Sequence, residues 1–511
     1  MDVIKKYENL VVKRSEISSL WHDVDTYCVP FKGKFFDGKD PYKLYDDTIF
    51  RAVNILVSGL YSYLTSPSSL WFKLSSPNIQ VGSKWFGEAT DVLHSLFRGS
   101  NFYKEVYGFY KDLVLYGVSA IYVEFGNNLV FRSISPKEFV FDKNIEGLVD
   151  FFASEMKIKA IDMVGMFGNK NLPDAVIKAI DNEPDKRFDV IFAVFENKDK
   201  KGKPYKSVWI EKETQQTLKE GGYDTFPFFV GFWDKYNGSH YSGSPTINAL
   251  PSVILANRIV KTFWVNNEKL ANPPLDIPFD GYAGDIDISP GAINYRTTTD
   301  PNDRIQPIVT SGDINITMES IQAVRESINE RLFVDLFLML QDRTMTATEV
   351  IQRTQEKLLL LGSVIGRLLH DVFVPLVNRS LYLAIANGVI DEPPDDNIKI
   401  EFLSPLAQSQ KASEYQGIVM VLNTALQIAQ VNPEIVDTIN WDEMIRRVGK
   451  LYSVDERIFN SDDVVQQIRQ QRAQMQQVQA QLQLEELKGK AMKQQTQAQF
   501  NQAKAQRMAY E

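Results

Sequence analysis

The sequence predicts an α+β protein, predominantly helical and divided into several units. Three observations point there. The chain has 511 residues, too many for one core at about 150 residues per domain. Long stretches carry apolar residues at three- and four-residue spacing. One stretch, 118–235, instead alternates β-branched and aromatic residues around turn signals.

Residues 1–120 read as helical. Phe50–Leu60, Trp85–Phe97 and Phe102–Tyr116 each show the helical period, and Pro67 and Pro77 punctuate the loop between the first two. In 118–235 the runs Ala120–Phe125 and Leu129–Phe131 flank an Asn127-Asn128 turn. Asp189–Phe195 and Ser207–Ile210 flank a lysine-rich tip, Lys198–Lys203, and Leu218–Val230 continues the pattern. This predicts an antiparallel sheet with a short helical insertion at 156–182. Ser244-Pro245 starts the next helix, with serine at the cap and proline at the first position. Pro251 is expected to kink it or split off its first turn, and Asn272-Pro273-Pro274 ends it. Residues 275–312 are rich in Pro, Gly, Asp and Thr and read as a small module inserted between two helices. Its ends lie close together if those helices are antiparallel. Thr317–Leu340 is expected to be one helix.

A polar break, Gln341-Asp342-Arg343-Thr344-Met345, follows. Thr346 and Glu349 then match a capping box that starts a helix running to about Asn387, with Pro375 expected to kink it. Ile398–Leu403 reads as a strand and 409–452 as helical. In 462–511, sixteen of fifty residues are glutamine and none is proline. A helix is expected in the first half of this segment.

Composition narrows the function. Apolar residues are 44% and charged residues 24%, ordinary for a globular protein. The net charge of −9 disfavours tight non-specific wrapping of DNA, while a surface past which DNA slides is still allowed. The single cysteine, Cys28, allows no internal disulfide and reads as a small buried residue, which fits a reducing compartment. Met1–Ser15 is charged, so no signal peptide is expected. The most apolar runs, Leu113–Val123, Leu332–Leu340 and Leu358–Leu369, fall short of a membrane span. No membrane association is expected. No phosphate-binding loop, His-Glu-x-x-His or Gly-x-Ser-x-Gly is present, and His22, His94, His240 and His370 lack metal-ligand spacing. No catalytic residue, metal or cofactor is therefore expected. Arg343, in a short loop between long helices, stands where a scaffold presents functional groups, although a plain helix-hairpin turn explains it equally well.

Three stretches then resemble the portal (head-to-tail connector) proteins of short-tailed bacteriophages. They are Tyr241–Pro245 with Ala249-Leu250-Pro251 and Ala256-Asn257 ahead of Asn272-Pro273-Pro274; Arg343–Val350 continuing to Arg353 and Glu356; and Leu361 through Gly366-Arg367 to Pro375-Leu376. The resemblance in layout covers roughly 1–460. It implies a wing at 1–243, stem helices at 244–271 and 313–340, and a clip at 272–312. A channel loop follows at 341–346, a long wing helix at 347–399, a crown at 400–460, and a C-terminal helix, barrel or disordered tail at 461–511. It implies a ring of about twelve copies at one capsid vertex, passing dsDNA without sequence preference during packaging and ejection. Partners would be the major capsid and scaffolding proteins, a transient large terminase that supplies the energy, and a tail adaptor or tail tube protein. The location implied is the virion, after assembly in the host cytoplasm. DNA contact would fall on Gln341, Asp342, Arg343, Thr344 and Met345. Docking would fall on the clip, with Asp276, Asp280, Asp285, Asp287, Arg296 and Arg304. The rival readings are a helical scaffold or adaptor without a DNA channel, and an enzyme with an unrecognised site.

Overall fold

The computed structural model describes residues 2–29, 44–76, 83–198, 202–235, 239–277, 285–287, 293, 295–297, 299–300, 305–307, 318–338, 360–395, 397–403, 405–430, 432–451, 458–460 and 462–508. The chain forms two units. The first comprises Met1–Lys73, Ala89–Glu392 and Ile400–Gln410; the second comprises Leu74–Glu88, Pro393–Lys399 and Lys411–Glu511.

In the first unit, α1 (Val3–Cys28) opens with Asp2 accepting the Lys5 amide at 3.1 Å. It buries Val3, Tyr7 and Leu10, one helical stripe. α2 (Thr48–Leu64) follows, then β1 (Phe72–Ser75) and α3 (Ser83–Arg98), each divided between the two units, and α4 (Phe102–Tyr116). Gly117, at φ +82°, then turns the chain into β2 (Val118–Phe125). The next elements are β3 (Leu129–Ile134), β4 (Phe139–Lys143), β5 (Val149–Lys159), α5 (Ala160–Phe167) and α6 (Asp174–Asn182). β6 (Arg187–Glu196), β7 (Tyr205–Glu211), β8 (Thr217–Tyr223) and β9 (Phe228–Phe232) complete the β-rich region.

The expected antiparallel sheet is in fact two sheets, β3-β2-β9 and β4-β5-β6-β7-β8. β9 leaves the order of its predecessors and pairs with β2, Ala120 facing Val230. No local signal marks that choice, because a strand's partner is set by tertiary packing. The larger sheet is covered on both faces. Val140, Phe151, Ala153, Ile191, Ala193, Val208 and Ile210 pack under α1. Phe188, Val190 and Leu218 point the other way, against Met163 and Phe167 of α5 and Val176 and Ala179 of α6. The alternation of Val190 and Ile191 between the faces follows from the two-residue period of a strand. An aromatic cluster centres on Trp71, stacked on Phe102 at 5.6 Å and edge-on to Phe97 and Phe373.

α7 (Pro245–Ala271) runs through Pro251 with its first turn attached, so of the kink or split expected there the split does not occur. Another helix expectation is corrected outright. The expected single helix over 317–340 is broken: α8 (Met318–Arg331) and α9 (Val334–Leu338) meet at Phe333, which has φ +55°. The break seats Phe337 against Tyr63 and over Gly59, where any Cβ would overlap the ring. Neither glycine nor proline announces it.

Residues 360–368 (α10), a π turn at Leu369–Phe373 and α11 (Val374–Ala386) form one helical rod. Its regular ladder is interrupted just before Pro375, where a distortion was expected. This rod, Leu360–Ala386, is long and apolar enough to cross a membrane by length and composition. It therefore exceeds the short apolar run read from the sequence. Leu361, Ile365, Leu368, Val372, Leu376, Val377 and Ala384 are buried inside the protein, which accounts for the apolarity. Arg379 on the same rod is 3% exposed and binds the carbonyls of Val123 at 3.0 Å and Thr225 at 2.6 Å.

β12 (Lys399–Phe402) lies near a boundary between the units, and α12 (Pro405–Ala429) leads into the second. There, α13 (Trp441–Leu451) and α14 (Asp462–Met508) are tied by a two-pronged Arg469–Asp442 pair, both distances 2.7 Å. α14 is a 47-residue helix, about 70 Å long, and extends past Gly489 beyond the half expected.

Candidate channel and docking segments

Two antiparallel helices form the frame. Ser244 caps α7 by accepting the Ile247 amide at 2.9 Å, and its hydroxyl donates to the Leu115 carbonyl at 2.9 Å. The helix start is thereby fixed to the end of α4. α8 runs back along α7: Arg331 donates to the Asn248 carbonyl at 3.1 Å, and Ser327 lies 3.5 Å from Ser252.

A polar knot fastens this pair to the body. Asn257 of α7 accepts the amides of Tyr45 and Asp46 at 2.9 and 3.3 Å. The Asp46 carboxylate is 2% exposed; it binds Arg325 of α8 at 2.8 Å and accepts the Thr48 amide at 3.1 Å. Sequence reading quoted Asn257 but missed Asp46 and Arg325. Those two lie 279 positions apart, beyond the reach of any local pattern.

Past Val260, α7 loses its cover. Trp264 is 60% exposed and Leu270 79%. Beyond it, β10 (Leu275–Asp276) pairs antiparallel with β11 (Gln306–Pro307), Leu275 facing Pro307 and Asp276 facing Gln306. The ends of the inserted module therefore meet, as the antiparallel helices required.

Among the docking candidates, Asp276 sits in this clasp and is exposed, as are Asp285, Asp287 and Arg296. The Arg296 guanidinium reaches the Asp300 carbonyl at 3.5 Å. Asp280 and Arg304 lie outside the described residues. So do all the loop candidates, Gln341, Asp342, Arg343, Thr344 and Met345, and the capping pair Thr346 and Glu349.

The titratable groups that invite a catalytic reading have structural surroundings. Cys28 is buried, and burial, followed by the nearby Asp25 charge, pushes its thiol up to about 12. His94 Nε2 lies 2.9 Å from the Phe72 carbonyl, and His240 Nε2 lies 2.8 Å from that of Phe141. Burial lowers both imidazoles, opposed by those hydrogen bonds. Among the described residues, no group of three or more His, Cys, Asp or Glu is placed to hold a metal.

The described residues thus show an antiparallel helical pair fastened to an α+β body and an insertion whose ends are clasped together. The chain belongs to the bacteriophage head-to-tail connecting protein family, whose family model matches residues 1–459. Two curated relatives extend the match. The probable portal protein of Bordetella phage BPP-1 is 26% identical, covering 93% of this chain and 91% of that protein. The portal protein of Salmonella phage epsilon15 is 27% identical, covering 92% and 90%. The role is that of a portal or head–tail connector, structural rather than enzymatic. It places the protein in the virion, with self-association and contact to capsid and tail.

Proposed function

We propose that the chain is the subunit of a portal ring of about twelve copies closed by repeated heterologous contacts. The ring occupies one capsid vertex and forms the conduit for dsDNA in packaging and ejection. The observation that carries this reading is the α7–α8 pair, whose outer length bears Trp264, Val265 and Leu270 exposed in the single subunit. Large apolar side chains left exposed in the single subunit, repeated around a symmetry axis, supply such a contact.

In this reading α7 and α8 are the stem and 272–312 the clip, which docks the terminase and later the tail adaptor. The body 1–243 with the long helix at 347–399 is the wing, 400–460 the crown, and 341–346 the channel loop. Arg343 contacts the DNA backbone, its guanidinium always charged and able to bind phosphate through two donors. The channel otherwise holds DNA loosely, because each firm phosphate contact opposes sliding. Electron microscopy of the purified protein tests the assembly: a ring with a central hole is expected, and a stable monomer over a wide concentration range overturns it. Arg343→Ala is expected to leave rings intact and impair DNA packaging or retention, most at low salt. Unchanged packaging and retention refute the contact.

A further inference from the structure

We propose that α12 is a self-association helix, held in the assembly between two neighbouring copies of this chain. The inference rests on the ring reading above and adds to it a surface that holds the ring, separate from the α7–α8 pair. The first observation is compositional. Charged residues make up 24% of the chain, yet none stands between Glu414 and Glu434. A helix washed by water along its length normally carries charge on the wet face.

The second observation is angular. Successive residues of a helix are turned by about 100°, which sorts Gly417–Ala429 into four strips. Ile418, Leu422, Ala425 and Ala429 form the first. Ala425 is buried and the other three are half-buried, so this strip is covered within the subunit. To one side lie Met420, Val421 and Ile428, all exposed, the first two at 72% and 62%. To the other side lie Leu426, exposed, and Val419, half-buried. Asn423 and Gln427 occupy the narrow strip that remains, and both are exposed. The helix is therefore apolar on three sides and covered on one.

This pattern selects the occupant. A single foreign partner seated on one side leaves the other side wet. A lipid surface takes one apolar face flanked by basic residues, and this stretch has none. Apolar residues on two opposed sides suit a repeated heterologous contact. Each copy then presents one side to the neighbour before it and the other side to the neighbour after it. Self-association already belongs to the connector role of this family. The missing charge serves the same end, because identical helices brought side by side meet no like-charge repulsion. The two amides of the outer strip keep that face wettable without adding charge.

The test uses the full-length protein and sedimentation velocity over a dilution series. Val421→Lys puts a charge on one side of α12, and Leu426→Glu puts one on the other. Each alone leaves an unpaired charge in the contact and is expected to raise the concentration at which the assembly dissociates about a hundredfold. Both changes in one chain set the introduced lysine of one copy against the introduced glutamate of the next, and most of the loss is expected to be recovered. Within one helix only residues three or four apart are neighbours, so positions 421 and 426 find each other only between copies. Both positions are exposed in the subunit, and circular dichroism melts are expected to match the unaltered protein. Val421→Ser and Leu426→Ser, which add no charge, are expected to weaken assembly about tenfold each and keep the test readable where a charged variant fails to fold. Unchanged assembly in the single variants overturns the proposal while the ring reading stands. A loss that the paired variant does not recover also overturns it, because the two sides then do not meet. An unaltered protein that stays monomeric at every concentration overturns the ring reading, and this inference with it.

Discussion

At Gly117 a single missing methyl group decides whether α4 can pass into β2. Its φ is +82°, and an added Cβ would overlap the backbone carbonyls of Gly243 and Ser242, the latter at 2.6 Å. Backbone cannot swing aside as a side chain can, so Gly117→Ala is expected to cost about 3 kcal/mol or more, read by denaturant unfolding. The two buried imidazoles give a pH signature. Each has a folded pKa below the ordinary value, so the unfolded chain binds more protons in the acid range. Stability is therefore complete above about 6.5 and falls as the pH drops through and below it. His94→Gln with His240→Gln is expected to flatten that slope in thermal melts; an unchanged slope refutes the assignment.

Helix and strand identity was largely legible where periodicity is local. The helical insertion anticipated at 156–182 is α5 and α6, the lysine-rich tip joins β6 to β7, and Ser244 caps α7. The reading failed where distant residues decide. The break at Phe333 exists because Phe337 is drawn onto Gly59, a contact between positions far apart in the chain. A backbone test isolates it: Phe333→Gly is expected to be about 1 kcal/mol more stable than Phe333→Ala, the reverse of helix propensity. Arg379 was likewise invisible, one basic residue inside an apolar rod. It joins α11 to Val123 of β2 and to Thr225 before β9. Arg379→Met strands two carbonyls and is expected to cost about 3 kcal/mol, measured by equilibrium unfolding.

For the whole molecule, family membership was legible from motif order, whereas the proposed loop contact lies outside the described residues. Motif order is a property of the linear chain. Phosphate contact depends on where a side chain ends up in an assembly, which one sequence does not encode locally. α14 bears on that assembly. Val464, Ile468, Met475, Val478 and Leu482 are exposed and fall on the two apolar positions of a heptad, with Gln471 occupying the one place skipped between them. A peptide spanning 462–508 is expected to be weakly helical when dilute and to gain helicity with concentration. Circular dichroism across a dilution series checks this, and concentration-independent helicity excludes self-association through that seam.

The β10–β11 clasp has an evolutionary consequence. Entry and exit of the inserted module are joined by a ladder of two residues per strand at the end of the helical pair. What lies beyond can change in length at small thermodynamic cost, about 0.6 kcal/mol for each doubling of a flexible loop. The clasp thus insulates the helices from the module they carry. One connector body can accept unrelated tips, and a lineage can exchange the inserted module as a cassette while the remainder stays under its own packing constraints.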